Sequence, residues 1–399
     1  MLDKMLKSPS VWEKLKGADL PIVCYGTGNG ADKIFDEFER LGIKISAVMA
    51  SDGFVRDRSF RGFKVKSLSD CENEFSDFYC VICFGSQLKS VIDNIKSVAA
   101  KHKTFVPSVS VYGNGIANRE FFERNKSRIC NIYSLLADEK SKDVFFKFVN
   151  FEYSGGLDIL LSCESDKEEV FSDILRLGKN EDYLDLGAYN GDTIKEFLYF
   201  SGNEYGSITA VEPAPRNFKK LMEYTKSMSN ITLVNKGIWS GELTMGFARK
   251  GGRNSYLLNA AQAKTDTVSV DEISKSESIS YIKADIEGAE SEMLDGAEIT
   301  LKRLKPKLNI AAYHRIEDIF ILPEKILEVN PEYKIYFRLL ILFLIFRFSQ
   351  VIFKNYNCRN SVNNRLTLFT TGVCGVQRIM RRNGSQSLVF KIYRKINPF

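Results

Sequence analysis

Apolar positions along the chain fall into two blocks of strand-like runs and helix-spaced stripes, separated by a stretch of different character. In the first block, Leu20 to Tyr25 is a short apolar run that meets a glycine turn, and Ala31 to Leu41 then carries Ile34, Phe35, Phe38 and Leu41 at helical spacing. A strand over Lys44 to Met49 follows, then a strand over Phe78 to Phe84, a helix over Gln87 to Ala100 and a short strand over Thr104 to Val106. Such alternation predicts a parallel sheet with helices packed against it. From about Asn118 to Leu177 charged residues surround apolar ones over long stretches, which predicts a mainly helical connector. The second block starts at Asp182, with strands expected at Tyr183–Leu186, Ile208–Val211, Ile231–Asn235, Tyr281–Asp285, Leu308–Tyr313 and Tyr333–Phe337. Glu242 to Val270, with Gly246, Gly251 and Gly252, reads as a β-hairpin insertion. Six strands in this order predict a doubly wound sheet. The expected organisation is α/β throughout: a smaller Rossmann-like domain over 1–115, a connector over 116–180, the doubly wound domain over 181–338 and a tail over 339–399.

Length and composition fit this reading. A chain of 399 residues suits two cores better than one, and 44% apolar with 27% charged residues is ordinary for a globular protein. The formal charge of +6 is localised: after Glu332 the chain has twelve Lys or Arg and no acid, which leaves the body before it acidic by six. That body offers no basic footprint for nucleic acid. Met1 to Leu20 lacks the apolar core of a secretory signal, so a cytoplasmic location with reduced thiols is expected. Cys80 and Cys83 have the spacing of a redox or metal pair, but they lie in an apolar run without a second pair or a nearby His, and a buried strand is the better reading.

The most informative segment is Tyr183-Leu184-Asp185-Leu186-Gly187-Ala188-Tyr189-Asn190-Gly191-Asp192-Thr193. A strand ends in an acid, and a loop with two spaced glycines leads into a helix. Gly187 permits a tight turn, and Gly191 is expected to let the backbone approach a ligand closely. A pyrophosphate prefers a helix N-terminus free of carboxylates; this loop is bracketed by Asp185 and Asp192, which suits a cationic ligand such as S-adenosylmethionine. Glu212, after the next strand, is placed to accept hydrogen bonds from ribose hydroxyls.

The motifs YLDLGAYNGDT, VEPAP, IKADIEGAE (Ile282 to Glu290) and AAYH (Ala311 to His314), in this order, resemble the FkbM-type family of methyltransferases over about Asp182 to Tyr336. The resemblance implies a class I methyltransferase-like fold, S-adenosylmethionine as cofactor, and a hydroxyl acceptor on a sugar, glycan or natural-product precursor. It places Asp185, Gly187, Ala188, Tyr189, Gly191 and Asp192 along the methionine side of the cofactor, Glu212 at its ribose and Asn235 near the adenine.

Transfer to a hydroxyl gains from a base at the strand ends beside the cofactor. Asp285, Glu287 and His314 are the candidates, with His314 and Asp285 placed first because an imidazole titrates near neutrality. The bland alternative is that Asp285 orients Lys283 or caps the following helix, and that His314 only bonds backbone. Glu290 is read as a helix-dipole acid. Whether Asp285 and Glu287 hold a divalent ion is left open.

Gly26-Thr27-Gly28-Asn29-Gly30-Ala31 fits a nucleotide-binding turn, with Asp52 as an approximate ribose partner. A nucleotide or nucleotide sugar is one reading; a Rossmann-like fold used for packing or dimerisation is the other. The tail departs from the resemblance after Tyr336. Its apolar run Leu339 to Phe346 is too short to span a bilayer and reads as a buried strand, while its basic residues suit peripheral contact with anionic lipid. Two alternatives to a methyltransferase follow: an inactive methyltransferase fold used as a scaffold, and an NAD-dependent dehydrogenase working through the first domain.

Overall fold

The computed structural model describes residues 2–55, 57–86, 88–113, 115–249, 255–257, 263–275, 278–341 and 348–355. Its first sheet contains β1 (Ile22–Tyr25), β2 (Ala47–Met49), β3 (Ser59–Phe60), β4 (Phe63–Lys66), β5 (Tyr79–Ile82) and β6 (Thr104–Phe105), in the order β3-β4-β2-β1-β5-β6. All pairings are parallel except that of β3 with β4. β1 is buried along its whole length, as expected of a central parallel strand covered on both faces. Helix Asn29–Leu41 packs its apolar stripe on this sheet and ends at Gly42, whose φ of +71° gives the left-handed cap. Cys80 and Cys83 are fully buried free thiols, and burial pushes both well above the usual thiol range. The strand reading of that run therefore holds. β3, β4 and the short helices Val11–Lys16 and Leu68–Glu74 were not anticipated, although Ser10 with Glu13 and Ser67 with Asp70 form capping boxes readable in the sequence.

Residues 116–180 are helical, with helices Arg119–Arg124, Lys126–Leu135, Glu139–Ser154 and Leu157–Leu161 and a wider π-type turn at Glu169–Leu175. They do not form a free linker. Ala137 N–H donates to the Ile335 carbonyl at 2.8 Å and Ser165 N–H to the Leu339 carbonyl at 2.8 Å, so this segment runs along the edge of the second sheet.

That sheet contains β7 (Asp182–Leu186), β8 (Ser207–Val211) and β9 (Ile231–Val234). A side sheet of β10 (Gly237–Ile238), β11 (Thr244–Arg249), β12 (Ser255–Leu257) and β13 (Ala263–Val268) takes the place of the expected hairpin insertion, in the order β10-β13-β11-β12. The main sheet then resumes with β14 (Tyr281–Ala284), β15 (Lys307–Ala311), β16 (Lys334–Ile341) and β17 (Phe348–Lys354). Its order is β16-β17-β15-β14-β7-β8-β9, parallel except for β17, which runs antiparallel between β15 and β16. Seven strands replace the expected six. The boundary expected at 338 falls inside β16, and the strand inserted last lies beyond it. The apolar run from Leu339 is divided accordingly: Leu339 to Ile341 finish β16, and 342–347 lie outside the described residues, as does the basic tail from 356 onward. Both sheets belong to one compact unit. Among the described residues no helix is long and apolar enough to cross a membrane.

Arg338 ties the helical segment to the sheet. It is 1% exposed, and its guanidinium donates to Asp138 Oδ2 at 2.9 Å, Glu169 Oε1 at 2.9 Å and Ser141 Oγ at 2.6 Å. Removing one partner of a buried ion pair costs about 3 kcal/mol or more. Arg338→Ala is therefore expected to lower the unfolding free energy by about that amount, read from denaturant titration, whereas Lys142→Ala, which removes only a pair with the exposed Glu139, should change it little.

Candidate active site

The strand order reverses between β7 and β14, since β8 lies on the far side of β7 and β15 on the far side of β14. A doubly wound sheet binds ligands outside the carboxyl ends of its strands at such a point. Two loops meet there: 187–191 after β7 and 285–289 after β14. Ala284 is paired with Leu186, so Gly187 and Asp285 lie side by side as the strands end. A Cβ on Gly187, whose φ is +83°, would sit 2.1 Å from the Asp285 carbonyl oxygen. Only glycine fits. At Gly191, φ +91°, the Cβ space is filled by the ring of Tyr224, 2.4 Å away. The expectation that Gly191 admits a ligand is thus corrected: its glycine is required by the left-handed backbone and by the tyrosine packed on it.

Asp185 is fully buried, and its Oδ2 accepts from the Thr193 hydroxyl. Its other oxygen is buried without a hydrogen-bond partner. Burial pushes its pKa up to about 6, opposed by Lys283, its neighbour in register on β14. Asp185 therefore presents no surface, and it acts on the loop above it as a buried charge. Glu212 is 6% exposed; its Oε2 accepts from the Tyr189 N–H at 3.0 Å and its Oε1 from the Ala214 N–H at 2.8 Å. Burial raises its pKa to about 7 against those two bonds. Ala188 is buried, and Tyr189 has a φ of +49° that Glu212 helps to hold. Asp192 opens helix Asp192–Ser201, accepting from the Thr193 N–H at 3.0 Å. Asn235 donates to the carbonyls of Glu212 at 2.7 Å and Pro213 at 3.3 Å, so its amide group braces the turn after β8.

The second loop gathers the expected acid–base residues. His314, fully buried after β15, directs Nε2 toward Asp285 Oδ1 and Glu287 Oε2, each at 3.6 Å, and Nδ1 toward Glu290 Oε1 at 3.0 Å. Neither ring nitrogen has hydrogen-bond geometry with a partner, so these contacts are ionic in character. Complete burial works against charge on the ring, but the Glu290 and Glu287 carboxylates win and raise its pKa well above the ordinary value. The neighbouring carboxylates thus favour the protonated ring and move its titration upward from the ordinary value expected of an imidazole. Burial raises the Glu287 carboxyl above the usual carboxylate range, with His314 opposing. Glu287 stands at φ +57°, strained for a residue with a Cβ.

Asp285 does not cap the following helix. Its Oδ1 accepts from the Tyr313 hydroxyl at 2.7 Å, and its Oδ2 lies 3.9 Å from Lys283 Nζ. Glu290 does more than complement a helix dipole: its two oxygens accept from the N–H groups of Ile286 at 2.9 Å and Gly288 at 3.1 Å, bracing the turn that carries Glu287. Asp285, Glu290 and His314 each bring one ligand atom within 4.8 Å of the others, a spread that a divalent cation could also use. Thr193, Lys283 and Tyr313 were not singled out beforehand as site residues. Lys283 and Tyr313 do sit beside motif residues in the sequence, which is the signal that could have found them.

In the first sheet, a Cβ at Gly26 would meet the Phe84 ring at 2.6 Å, so packing explains that glycine. Gly28 is the N-cap of helix Asn29–Leu41. The side chain of Asp52 lies outside the described residues.

A doubly wound sheet with an antiparallel last strand, and with acid–base residues at its reversal point, defines an α/β methyltransferase fold. The methyltransferase FkbM domain matches residues 185–334, and this part of the chain belongs to the FkbM methyltransferase family. The methyltransferase FkbM of Methylobacillus flagellatus is 18% identical, with a TM-score of 0.64 over 88% of this chain and 93% of that one, which shows a shared fold through both sheets. Two methyltransferase-fold neighbours align more loosely. One is precorrin-6Y C5,15-methyltransferase of Geobacter metallireducens, with 14% identity, a TM-score of 0.31 and coverage of 48% of this chain and 92% of that one. The other is fibrillarin of Aeropyrum pernix, with 13% identity, a TM-score of 0.30 and coverage of 46% and 72%. No curated protein matches this chain in sequence.

The two raised carboxyls give a pH dependence of defined sign. Unfolded Asp and Glu ionise near 4, whereas folded Asp185 and Glu212 do so near 6 and 7. Between those values the folded state binds more protons, so the contribution of these groups to stability falls as pH rises through the window and is constant above it. Thermal unfolding from pH 5 to pH 8 is expected to show a smaller drop in Tm for Asp185→Asn with Glu212→Gln than for the wild type. Equal slopes would disprove the assignment.

Proposed function

We propose that the protein transfers a methyl group from S-adenosylmethionine to a hydroxyl oxygen of a sugar, glycan or natural-product precursor. The observation that carries this reading is the meeting, at the β7/β14 reversal point, of a carboxylate-bearing glycine loop with the Glu287–His314–Glu290 array. Buried Asp185 and Glu212 favour a ligand with positive charge over a pyrophosphate. Glu212 Oε1 accepts from both the Ala214 N–H and the Asn217 amide, so the second lone pair of Oε2 is the one left for a ribose hydroxyl. When bound, the cofactor supplies an electrophilic methyl carbon on positive sulfur.

The chain's own residues then orient the acceptor and take its proton. Glu287 is the better base, because burial raises its carboxyl above the usual carboxylate range and so strengthens it as a proton acceptor. The Glu287 carboxylate would take the acceptor hydroxyl's proton as that oxygen bonds to the methyl carbon, with the electron pair of the broken carbon–sulfur bond staying on sulfur as the neutral thioether leaves. His314, protonated and held by Glu290, keeps that carboxylate in place, and Asp285 is fixed by Tyr313 and Lys283. The acid-rich surroundings also favour positive sulfur.

Calorimetric titration with S-adenosylhomocysteine tests the cofactor without the acceptor, and saturable one-site binding is expected. Incubation with methyl-labelled S-adenosylmethionine and a panel of nucleotide sugars and hydroxylated glycans tests transfer. Glu287→Gln, His314→Ala and Asp285→Asn should each retain S-adenosylhomocysteine affinity within a few fold and lose transfer by at least about a hundredfold, the usual range for general-base removal. Binding without transfer to any acceptor would favour a scaffold on a methyltransferase fold.

A further inference from the structure

A segment of the N-terminal half reaches into the site. After β6 the chain forms a narrow hairpin: Val109 and Ile116 pair as an isolated antiparallel bridge, and Ser110 N–H donates to the Gly115 carbonyl at 3.0 Å. Near its tip, the Tyr112 backbone N–H donates to the His314 carbonyl at 2.9 Å. The Tyr112 side chain lies against Gly288, where a Cβ would be 2.6 Å from Tyr112 Cβ and Cγ. Gly288 has a φ of +99° and follows Glu287 in the strained turn. The Arg315 guanidinium sits 4.9 Å from the centroid of the same ring while donating to the Gly288 carbonyl at 2.7 Å. The hairpin is itself anchored from behind. Lys33 Nζ, on helix Asn29–Leu41, donates to the carbonyls of Ser110 at 2.8 Å and Val111 at 2.6 Å.

We infer that Tyr112 is a positioning residue for methyl transfer: its ring and backbone clamp the Glu287–Gly288 turn and the His314 loop in register with each other. This rests on the reading of Glu287 and His314 as the acid–base pair. The physical need is specific. Glu287 and Gly288 both hold left-handed backbone, and a turn of that kind persists only where its surroundings over-determine it. Glu290 braces the turn from below through two N–H groups, and Tyr112 with Arg315 closes it from the hairpin side. The ring makes the contact with Gly288, and phenylalanine at this position keeps that ring. Lys33 acts at one remove, by fixing the two carbonyls that lead into the hairpin tip.

The chain contains two histidines, His102 and His314, and this permits a direct test. His102 lies beside β6, stacked on Phe78 with ring centroids 3.9 Å apart, and serves as an internal control. In full-length protein labelled with 15N-histidine, the ring nitrogen and carbon-bound proton resonances of both residues can be followed at one pH near neutrality. Wild type is expected to show a doubly protonated ring for His314. Tyr112→Ala should move the His314 signals toward those of a neutral or mixed ring and leave His102 in place. Tyr112→Phe should match the wild type, and Lys33→Met should move His314 in the same direction by a smaller amount.

His314 signals unchanged in both Tyr112→Ala and Lys33→Met overturn the assignment. So does a Tyr112→Phe protein that behaves like Tyr112→Ala. If Tyr112→Ala fails to fold, Lys33→Met decides alone. Titrating the same samples with S-adenosylhomocysteine separates the two questions: a wild type that does not bind it overturns the methyl-donor reading and leaves the clamp standing on the His314 signals.

Discussion

The absence of one methyl group at position 187 governs the geometry of this protein. With any other residue there, the Cβ would collide with the Asp285 carbonyl at 2.1 Å, and the ends of β7 and β14 would have to part. Their closeness puts the glycine loop 187–191 beside the loop that carries Asp285, Glu287 and Glu290. Methyl transfer needs donor and acceptor atoms in line and in near contact, so a small separation of these two strands would be felt directly in the rate. The strands are joined electrostatically as well. Lys283 pairs in register with Asp185 and reaches toward Asp285, so one buried ammonium faces both loops.

Charge is arranged around this junction in an unequal way. Asp185, Glu212, Asp285, Glu287 and Glu290 gather near the ends of three strands, against Lys283 and a protonated His314. Burying several carboxylates is costly unless they are paired or shift their pKa, and both happen here. Glu290 and Asp285 are held by N–H or O–H donors, whereas Asp185, Glu212 and Glu287 are pushed upward by burial. The junction thus keeps an excess of carboxylates over the cations that face them.

Much of this could be read from the chain because the chemistry sits on strand ends, where periodicity and glycine spacing are strongest. The strands that became β7, β8, β14 and β15, and the residues Asp185, Glu212, Asp285, Glu287 and His314, all lie in short windows with a clear pattern. The misreadings have physical causes. Gly191 looked like room for a ligand because a sequence does not show that Tyr224, on a later helix, occupies the same space. The reading of His314 assumed an ordinary titration, and only the three-dimensional ring of carboxylates shows what moves that titration upward. β17 was missed because its place between β15 and β16 depends on a pairing with β15 far back in the chain, and an apolar run says nothing about which neighbours it will find.

The path of the chain between the two sheets explains why the halves are not independent. Leaving β6, it touches the end of helix Glu139–Ser154 through the Val106 N–H to Gly155 carbonyl bond at 2.9 Å, then turns over the His314 loop at Tyr112. It next runs along β16, whose outer edge would otherwise present unpaired N–H and carbonyl groups. Only then does it enter β7. One excursion therefore covers an exposed edge and supports a strained turn, two tasks that a sheet cannot perform for itself. The buried Arg338 clasp, from β16 to Asp138 and Glu169, fixes that excursion at its far end, and Lys33 fixes it near its start. A segment held at both ends has little freedom to lift from the site, so the first sheet contributes to the chemistry through rigidity whatever it binds on its own.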